Sequence, residues 1–253
     1  LPKTVDNDVY PIAQTLGAWT AAEQGAIFFE NVANENTTSD RQLIIHEVMG
    51  RDCGWLTAAT ALEYRKRLNN LHFIPEIGLS KEKWEVHSVL IPEEEIDFDK
   101  ECERLNKVMD KHDCVNLFLS EGAGTDVIIR ETEKNGETVL RDAFGHVRLD
   151  DLNPGQWFAK QLGKRLNANK VLVQKSGYFG RSSKANQADL DLIFEVTDHA
   201  VQSALNGKNG VVGWDEDNNN TLSCIDFSRI KGGKPFDITL DWYKDMIDEI
   251  KAI

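Results

Sequence analysis

The chain has 253 residues, 41% of them hydrophobic, enough for one large or two modest domains with a sizeable core. A formal net charge of −13 excludes nucleic acid and anionic membrane as main partners, so any polyphosphate must sit in a local pocket of Lys and Arg. The apolar runs are strand-length and the N-terminus carries no visible secretory leader, which together predict no membrane span.

The first seven informative residues, Pro2-Lys3-Thr4-Val5-Asp6-Asn7-Asp8, set two carboxylates around one amide, after a hydroxyl and a lysine. Such a cluster suits removing a proton from an alcohol, ordering a hydrated Mg²⁺ and holding a phosphate, the parts phosphoryl transfer needs. A capped turn is the plainer alternative. Residue 1 stands directly before this motif, with no initiator Met and no preceding strand. That placement predicts a piece of a longer chain.

A long helix is expected from Ile12 to Ala33, rich in Ala, Leu and Phe, with Gly17 and Gly25 weakening it. The polar loop Asn34–Asp40 leads to Arg41 and to a strand over Leu43–Met49, whose apolar run suits a sheet covered on both faces. Gly50-Arg51-Asp52-Cys53-Gly54 turns the chain into a helix from Trp55 to Leu68. The next strand is read at Leu71–Pro75. Phe98, Cys102, Leu105, Val108, Met109 and His112 then fall on one helical face.

Val115–Ser120 reads as another buried strand, closed by Glu121-Gly122-Ala123-Gly124, and Glu131–Leu152 as polar and irregular. Pro154 opens a helix running to Leu166. A strand over Val171–Lys175 is closed by Ser176-Gly177-Tyr178-Phe179-Gly180-Arg181. Leu190, Ile193, Phe194, Thr197, Val201, Ala204 and Leu205 mark the expected apolar face of a long helix. Gly210–Trp214 and Thr221–Phe227 bracket a hairpin, whose acidic loop Asp215-Glu216-Asp217 lacks the Gly and distal Glu of a twelve-residue calcium loop. The last helix starts near Leu240. Alternating strands and helices define an α/β class with mainly parallel sheets.

Cys53, Cys102, Cys114 and Cys224 lack metal spacing and read as reduced thiols, which suits a cytoplasmic protein. His46, on an apolar strand, reads as a buried structural histidine; His72, His87, His112, His146 and His199 have no assigned role.

Three strand exits carry chemistry: Met49-Gly50-Arg51, Glu121-Gly122, and Tyr178 with Arg181. Each pairs a small residue, which lets the backbone approach a ligand, with a charged or hydrogen-bonding side chain. In open parallel sheets ligands bind where strand ends meet helix starts.

In the order Pro2–Asp8, Glu47–Gly54, Ser120–Gly122 and Tyr178–Arg181, with Ile230–Phe236 later, the chain resembles the phosphofructokinase family, and within it the pyrophosphate-dependent branch. The resemblance implies two Rossmann-like, mainly parallel sheets flanked by helices. It implies transfer of a phosphoryl group from pyrophosphate to the 1-hydroxyl of fructose 6-phosphate, with Mg²⁺, in a homo-oligomer with shared active sites.

Asp6 would be the general base on the 1-hydroxyl. Thr4, with Val5 beside it, would contact the sugar phosphate or the transferring group, and Asp8 would organise the Mg²⁺ through water. Met49 and Gly50 would lie against the sugar, with Arg51 stabilising the phosphoryl group in flight. Glu121 would accept hydrogen bonds from sugar hydroxyls, while Tyr178 and Arg181 would bind the sugar phosphate. Arg41 resembles the arginine that reaches the 6-phosphate of a neighbouring subunit's site.

Lys3 decides the donor: the ATP-using branch carries Gly here and the pyrophosphate-using branch Lys, which occupies the room of a nucleotide's α-phosphate. Several features depart from the bacterial ATP enzymes. Arg41 stands one residue further from Met49, Tyr178 replaces a histidine, and the second phosphate-binding arginine has only Lys175 or Lys170 as candidates. The Gly-Gly-Asp phosphate loop, with its Mg²⁺ ligand, is absent.

The implied domains are 1–18 with 180–234 as part of a donor domain, 19–179 as the sugar-phosphate domain, and 235–253 as a C-terminal helix. An ATP-dependent 6-phosphofructokinase is the alternative enzyme. A non-catalytic regulatory subunit ranks last, because Asp6, Arg51 and Arg181 are all present.

Overall fold

Seven consecutive buried residues, Gln42–Val48, form strand β1 at the centre of the molecule. The computed structural model describes residues 1–134, 136 and 153–253. β1 pairs in parallel with β3 (Cys114–Ser120) on one side and β4 (Lys170–Lys175) on the other. The short β2 (Ser88–Leu90) extends the sheet beyond β3, giving the order β2-β3-β1-β4.

Successive side chains on a strand point to opposite faces, and β1 shows the result. Ile44 joins Phe29, Tyr64, Leu68 and Phe118 on one face. Leu43 and Ile45 join Leu105, Met109, Leu117 and Phe158 on the other. With helices covering both faces, β1 is buried throughout and its sequence does not alternate apolar with polar residues.

The first face is covered by α1 (Ala18–Ala33), α2 (Trp55–Leu68) and, near Tyr64 and Trp84, the terminal helix α8 (Asp241–Lys251), which buries Tyr243, Met246, Ile247 and Ile250. The second is covered by α3 (Phe98–His112), α4 (Thr125–Lys134) and α5 (Pro154–Arg165). α3 buries the six residues its spacing predicts, and the Asp97 side chain caps its first turn by accepting from the Lys100 N–H. After β4 come the short α6 (Gly177–Ser182) and the long α7 (Gln187–Leu205). β5 (Val211–Asp215) and β6 (Thr221–Ile225) form the expected antiparallel hairpin.

Four expectations need correction. The helix expected from Ile12 begins at Ala18, because residues 3–16 are used in bridges: Lys3 with Leu16, and Ile12 with Asp215. Gly17, at φ 97°, turns the chain into the helix. Leu71–Pro75 is not a strand; Ile74 and Leu79 close a turn there, and the strand lies at Ser88–Leu90. Glu131–Lys134 complete helix α4 rather than irregular chain, while residues 135 and 137–152 lie outside the described residues.

The fourth correction concerns α7. It buries Asp189, Leu192, Val196 and Ser203, packing Leu192 and Val196 on Leu16 and Val212 of the hairpin layer. Of the stripe read from the sequence, Ile193 packs at the margin of this cluster, while Phe194, Val201 and Leu205 face outward, Phe194 71% and Leu205 78% exposed. Two polar residues, Asp189 and Ser203, lie on the buried face while apolar residues such as Phe194 and Leu205 lie on the exposed one, so periodicity does not say which stripe meets the hairpin.

Candidate active site

The Pro2–Asp8 segment is held over the C-terminal end of β1 by its own side chains. Asn7 is buried at φ 57°, and its Oδ1 accepts from the Thr15 N–H at 2.8 Å and the Thr15 hydroxyl at 3.1 Å. The Thr15 hydroxyl also lies 2.8 Å from the Thr4 carbonyl oxygen, and the Leu16 N–H donates to the Pro2 carbonyl at 2.9 Å. Val5 packs with Met49 against Ala21, Ala22, Val48, Leu56 and Ala59, which seats the loop on the β1 exit. The Thr4 hydroxyl accepts the Asp6 N–H at 3.3 Å.

Asp6 thereby becomes partly desolvated among charged neighbours. Burial raises its pKa above the ordinary carboxylate value, and the negative charges of Asp8 and Glu121 raise it further, while Arg181 opposes them. Its Oδ1 is buried without a hydrogen-bond partner among the described residues.

The strand exits meet through backbone contacts. The Glu121 N–H donates to the Val48 carbonyl at 3.0 Å, and the Ser120 hydroxyl donates to the Gly50 carbonyl. Gly50 sits at φ 124°, a left-handed conformation suited to glycine. At the β4 exit, a Cβ on Gly177 would come within 3.0 Å of Met49 Sδ, so this turn lies against the β1 exit. Tyr178 is 89% exposed and Arg181 is also exposed, both on α6. Arg51 lines a cleft of about 880 Å³ with Asp52, Gly122, Thr125, Asp126 and Arg130. Asp6 and Arg181 are not among its lining residues.

The structure thus gathers the Lys3–Asp8 loop, Met49–Arg51, Glu121 and the Tyr178–Arg181 turn at one edge of the sheet. Lys175, at the same end of β4, makes a 2.7 Å ion pair with Glu47. Lys170 lies at the opposite end of β4 and pairs with Glu35 at 2.7 Å. Arg41 likewise precedes β1, at the sheet end away from Met49. It pairs with Asp110 at 2.7 Å and donates to the carbonyls of Leu166 and Asn167. Lys3 is exposed.

His46 is structural: it stacks on Phe29, its Nε2 lies 2.8 Å from Ser176 Oγ, and burial pushes its pKa down to about 3, which keeps it neutral. The hairpin carboxylate Asp215 is buried and bound by the Arg229 guanidinium through two contacts of 2.8 Å. Cys53, Cys102 and Cys114 are free and buried, and Cys224 is free and half-buried.

One supporting residue escaped the sequence reading. Both carboxylate oxygens of Glu93 accept the Gly54 N–H, at 2.9 and 3.0 Å, and one accepts the Phe236 N–H at 2.7 Å. Glu93 caps the start of α2 just after Arg51 and ties the Ile230–Phe236 segment to it. Its partners are distant in sequence, so no local spacing marks it.

A parallel sheet with carboxylates, arginines and close-approach glycines at its strand exits defines an α/β protein suited to binding a phosphorylated ligand. Residues 1–204 match the phosphofructokinase family model, and the chain belongs to that family. It is 58% identical over 250 residues to a pyrophosphate–fructose 6-phosphate 1-phosphotransferase of Methylomonas methanica, covering 99% of this chain and 61% of that protein. It is 52% identical to the protein of that name from Mastigamoeba balamuthi, with 99% and 61% covered. The chain therefore spans about three fifths of the length of these curated relatives. Among solved structures, the pyrophosphate-dependent phosphofructokinase of Marinobacter aquaeolei superposes with a TM-score of 0.62 at 20% identity, covering 98% of this chain and 58% of that one.

Proposed function

We propose that the complete protein moves a phosphoryl group from pyrophosphate to the 1-hydroxyl of fructose 6-phosphate, giving fructose 1,6-bisphosphate and phosphate. The observation that carries this reading is the environment of Asp6, a partly desolvated carboxylate between Asp8 and Glu121 and opposed by Arg181. A carboxylate raised toward the working pH is a stronger base toward an alcohol, an effect of roughly 10²–10⁴ in rate.

Asp6 takes the hydroxyl proton as the 1-oxygen bonds to phosphorus and the bridging P–O bond of pyrophosphate breaks. Arg51 stabilises the charge of the group in flight, since an arginine is always charged and binds phosphate through two parallel hydrogen bonds. Thr4, Met49, Gly50 and Glu121 bind the sugar end. Tyr178 and Arg181 bind the 6-phosphate, with Lys175 the nearer of the two lysine candidates. Asp8, whose negative charge acts on the partly desolvated Asp6, would hold a hydrated Mg²⁺ through water, and the cation would supply charge neutralisation on the donor phosphates.

The domain division is part of the same reading. The bridges from Tyr10 to Lys231 and from Ile12 to Asp215 support grouping residues 1–18 with 180–234, and all four strands of the parallel sheet fall within 19–179. Residues 235–253 form the C-terminal helix unit. We read the protein as a cytoplasmic homo-oligomer.

The donor is tested through Lys3. kcat/KM for pyrophosphate and for ATP is measured in the complete protein, wild type against Lys3→Gly. The expected wild type uses pyrophosphate with little ATP activity. Lys3→Gly loses roughly 2–4 kcal/mol of transition-state stabilisation with pyrophosphate, the scale of one preorganised electrostatic contact. A wild type that prefers ATP replaces this reading with an ATP-dependent 6-phosphofructokinase.

A further inference from the structure

Helix α1 starts at a residue with no side chain to cap it, Gly17, yet its first turn is fully served. The Asp189 carboxylate, 0% exposed and 172 residues away, accepts the Gly17 N–H at 2.8 Å on one oxygen. The other oxygen accepts the Thr20 N–H at 2.7 Å and the Thr20 hydroxyl at 2.5 Å. A buried carboxylate needs such compensation, and three donors at the positive end of a helix provide it.

A Ser or Asp at position 17 would cap the helix locally. A cap supplied from α7 adds something a local one lacks, a fixed relationship between two distant segments. On one side, Thr15 and Leu16 are hydrogen-bonded to Thr4, Asn7 and Pro2, so the start of α1 is continuous with the loop that carries Asp6. On the other, Asp189 follows the Tyr178–Arg181 turn by eight residues. Between them Asn186 donates its N–H to Thr20 Oγ1 at 3.0 Å and its side-chain amide to Glu23 at 2.8 Å. Gly180 lies against Ala21, with room for a Cβ at 3.5 Å.

We propose that Asp189 is a positioning residue, whose carboxylate fixes the segment bearing Arg181 relative to the loop bearing Asp6. The proposal rests on the roles given above to Asp6 and Arg181, and it acts through them rather than on substrate.

A KM-against-kcat split separates positioning from a merely structural role. The complete protein is compared as wild type, Asp189→Asn, Arg181→Met and the double variant, by steady-state kinetics in fructose 6-phosphate and by equilibrium binding of fructose 6-phosphate to the same samples.

KM for fructose 6-phosphate should rise about tenfold in Asp189→Asn with kcat changed less, binding should weaken in step, and the effect should vanish on an Arg181→Met background. A folded Asp189→Asn with wild-type KM and binding, or whose kinetic cost adds fully to that of Arg181→Met, overturns the proposal. If Asp189→Asn does not fold, Thr20→Val, which removes one donor, decides by the same KM and binding measurements. A wild type without turnover of pyrophosphate overturns the proposed reaction instead, and fructose 6-phosphate binding still judges Asp189.

Discussion

A side chain at residue 122 would occupy the place of the Arg51 backbone: a Cβ on Gly122 falls 1.7 Å from the Arg51 carbonyl oxygen. The exits of β1 and β3 are thus fitted to each other with no room for a methyl group. Gly122→Ala must push the Arg51 loop away, with an expected loss of about 10² in kcat/KM from misplacement of about an ångström. The overpacking should cost about 1–3 kcal/mol of stability. Steady-state kinetics with urea unfolding of the same sample checks both. Wild-type kinetics would remove the Arg51 backbone position from the site.

Asp6→Asn should lower kcat by about 10²–10⁴ in the complete protein, with KM for fructose 6-phosphate nearly unchanged, because the amide keeps the shape and cannot take a proton. Since the base must be ionised, the acid limb of kcat/KM should lie above the ordinary carboxylate range and disappear in the variant.

The same shift has a stability sign. A carboxylate whose folded pKa is raised favours the folded state at low pH and disfavours it once pH exceeds that pKa. Asp6→Asn should therefore raise Tm at pH 7, where wild type carries the desolvated charge, and change it little near pH 3. An equal shift at both pH values would assign the effect to packing rather than charge.

Arg41 lies at the sheet end remote from its own chain's Met49–Arg51 and pairs with Asp110; if it serves a site, as the family resemblance implies, that site belongs to a neighbouring subunit. Mixing subunits of Arg41→Ala with subunits of Asp6→Asn should then restore part of the activity, since some sites receive both intact residues. Exchanged mixtures that stay as inactive as their parents would confine Arg41 to its ion pair with Asp110.

The exposed Phe194, Val201 and Leu205 of α7 are apolar surface, and β4 is an edge strand of the sheet among the described residues. Expressed alone, the 253-residue chain should self-associate and show no steady turnover. Phe194→Glu with Leu205→Lys should shift sedimentation toward the monomer without altering far-UV circular dichroism. Unchanged association would exclude the α7 face as its cause.

Where one residue's neighbours in sequence are also its neighbours in space, the sequence was sufficient. The 3.6-residue spacing from Phe98 to His112 determined which face of α3 is buried, and the mainly apolar run at Leu43–Val48 determined a central strand. The residue types at the strand exits, with Asp6, were enough to indicate phosphoryl chemistry and the family.

Only the tertiary structure decided what depends on partners far along the chain. It put the start of α1 at Ala18, because Leu16 and Ile12 are held by Lys3 and Asp215. It chose which stripe of α7 meets the hairpin, burying Asp189 and leaving Phe194 exposed. It also gave Asp6 its raised pKa and Gly17 its cap from Asp189, since burial and long-range hydrogen bonds are properties of the folded surroundings and leave no local pattern.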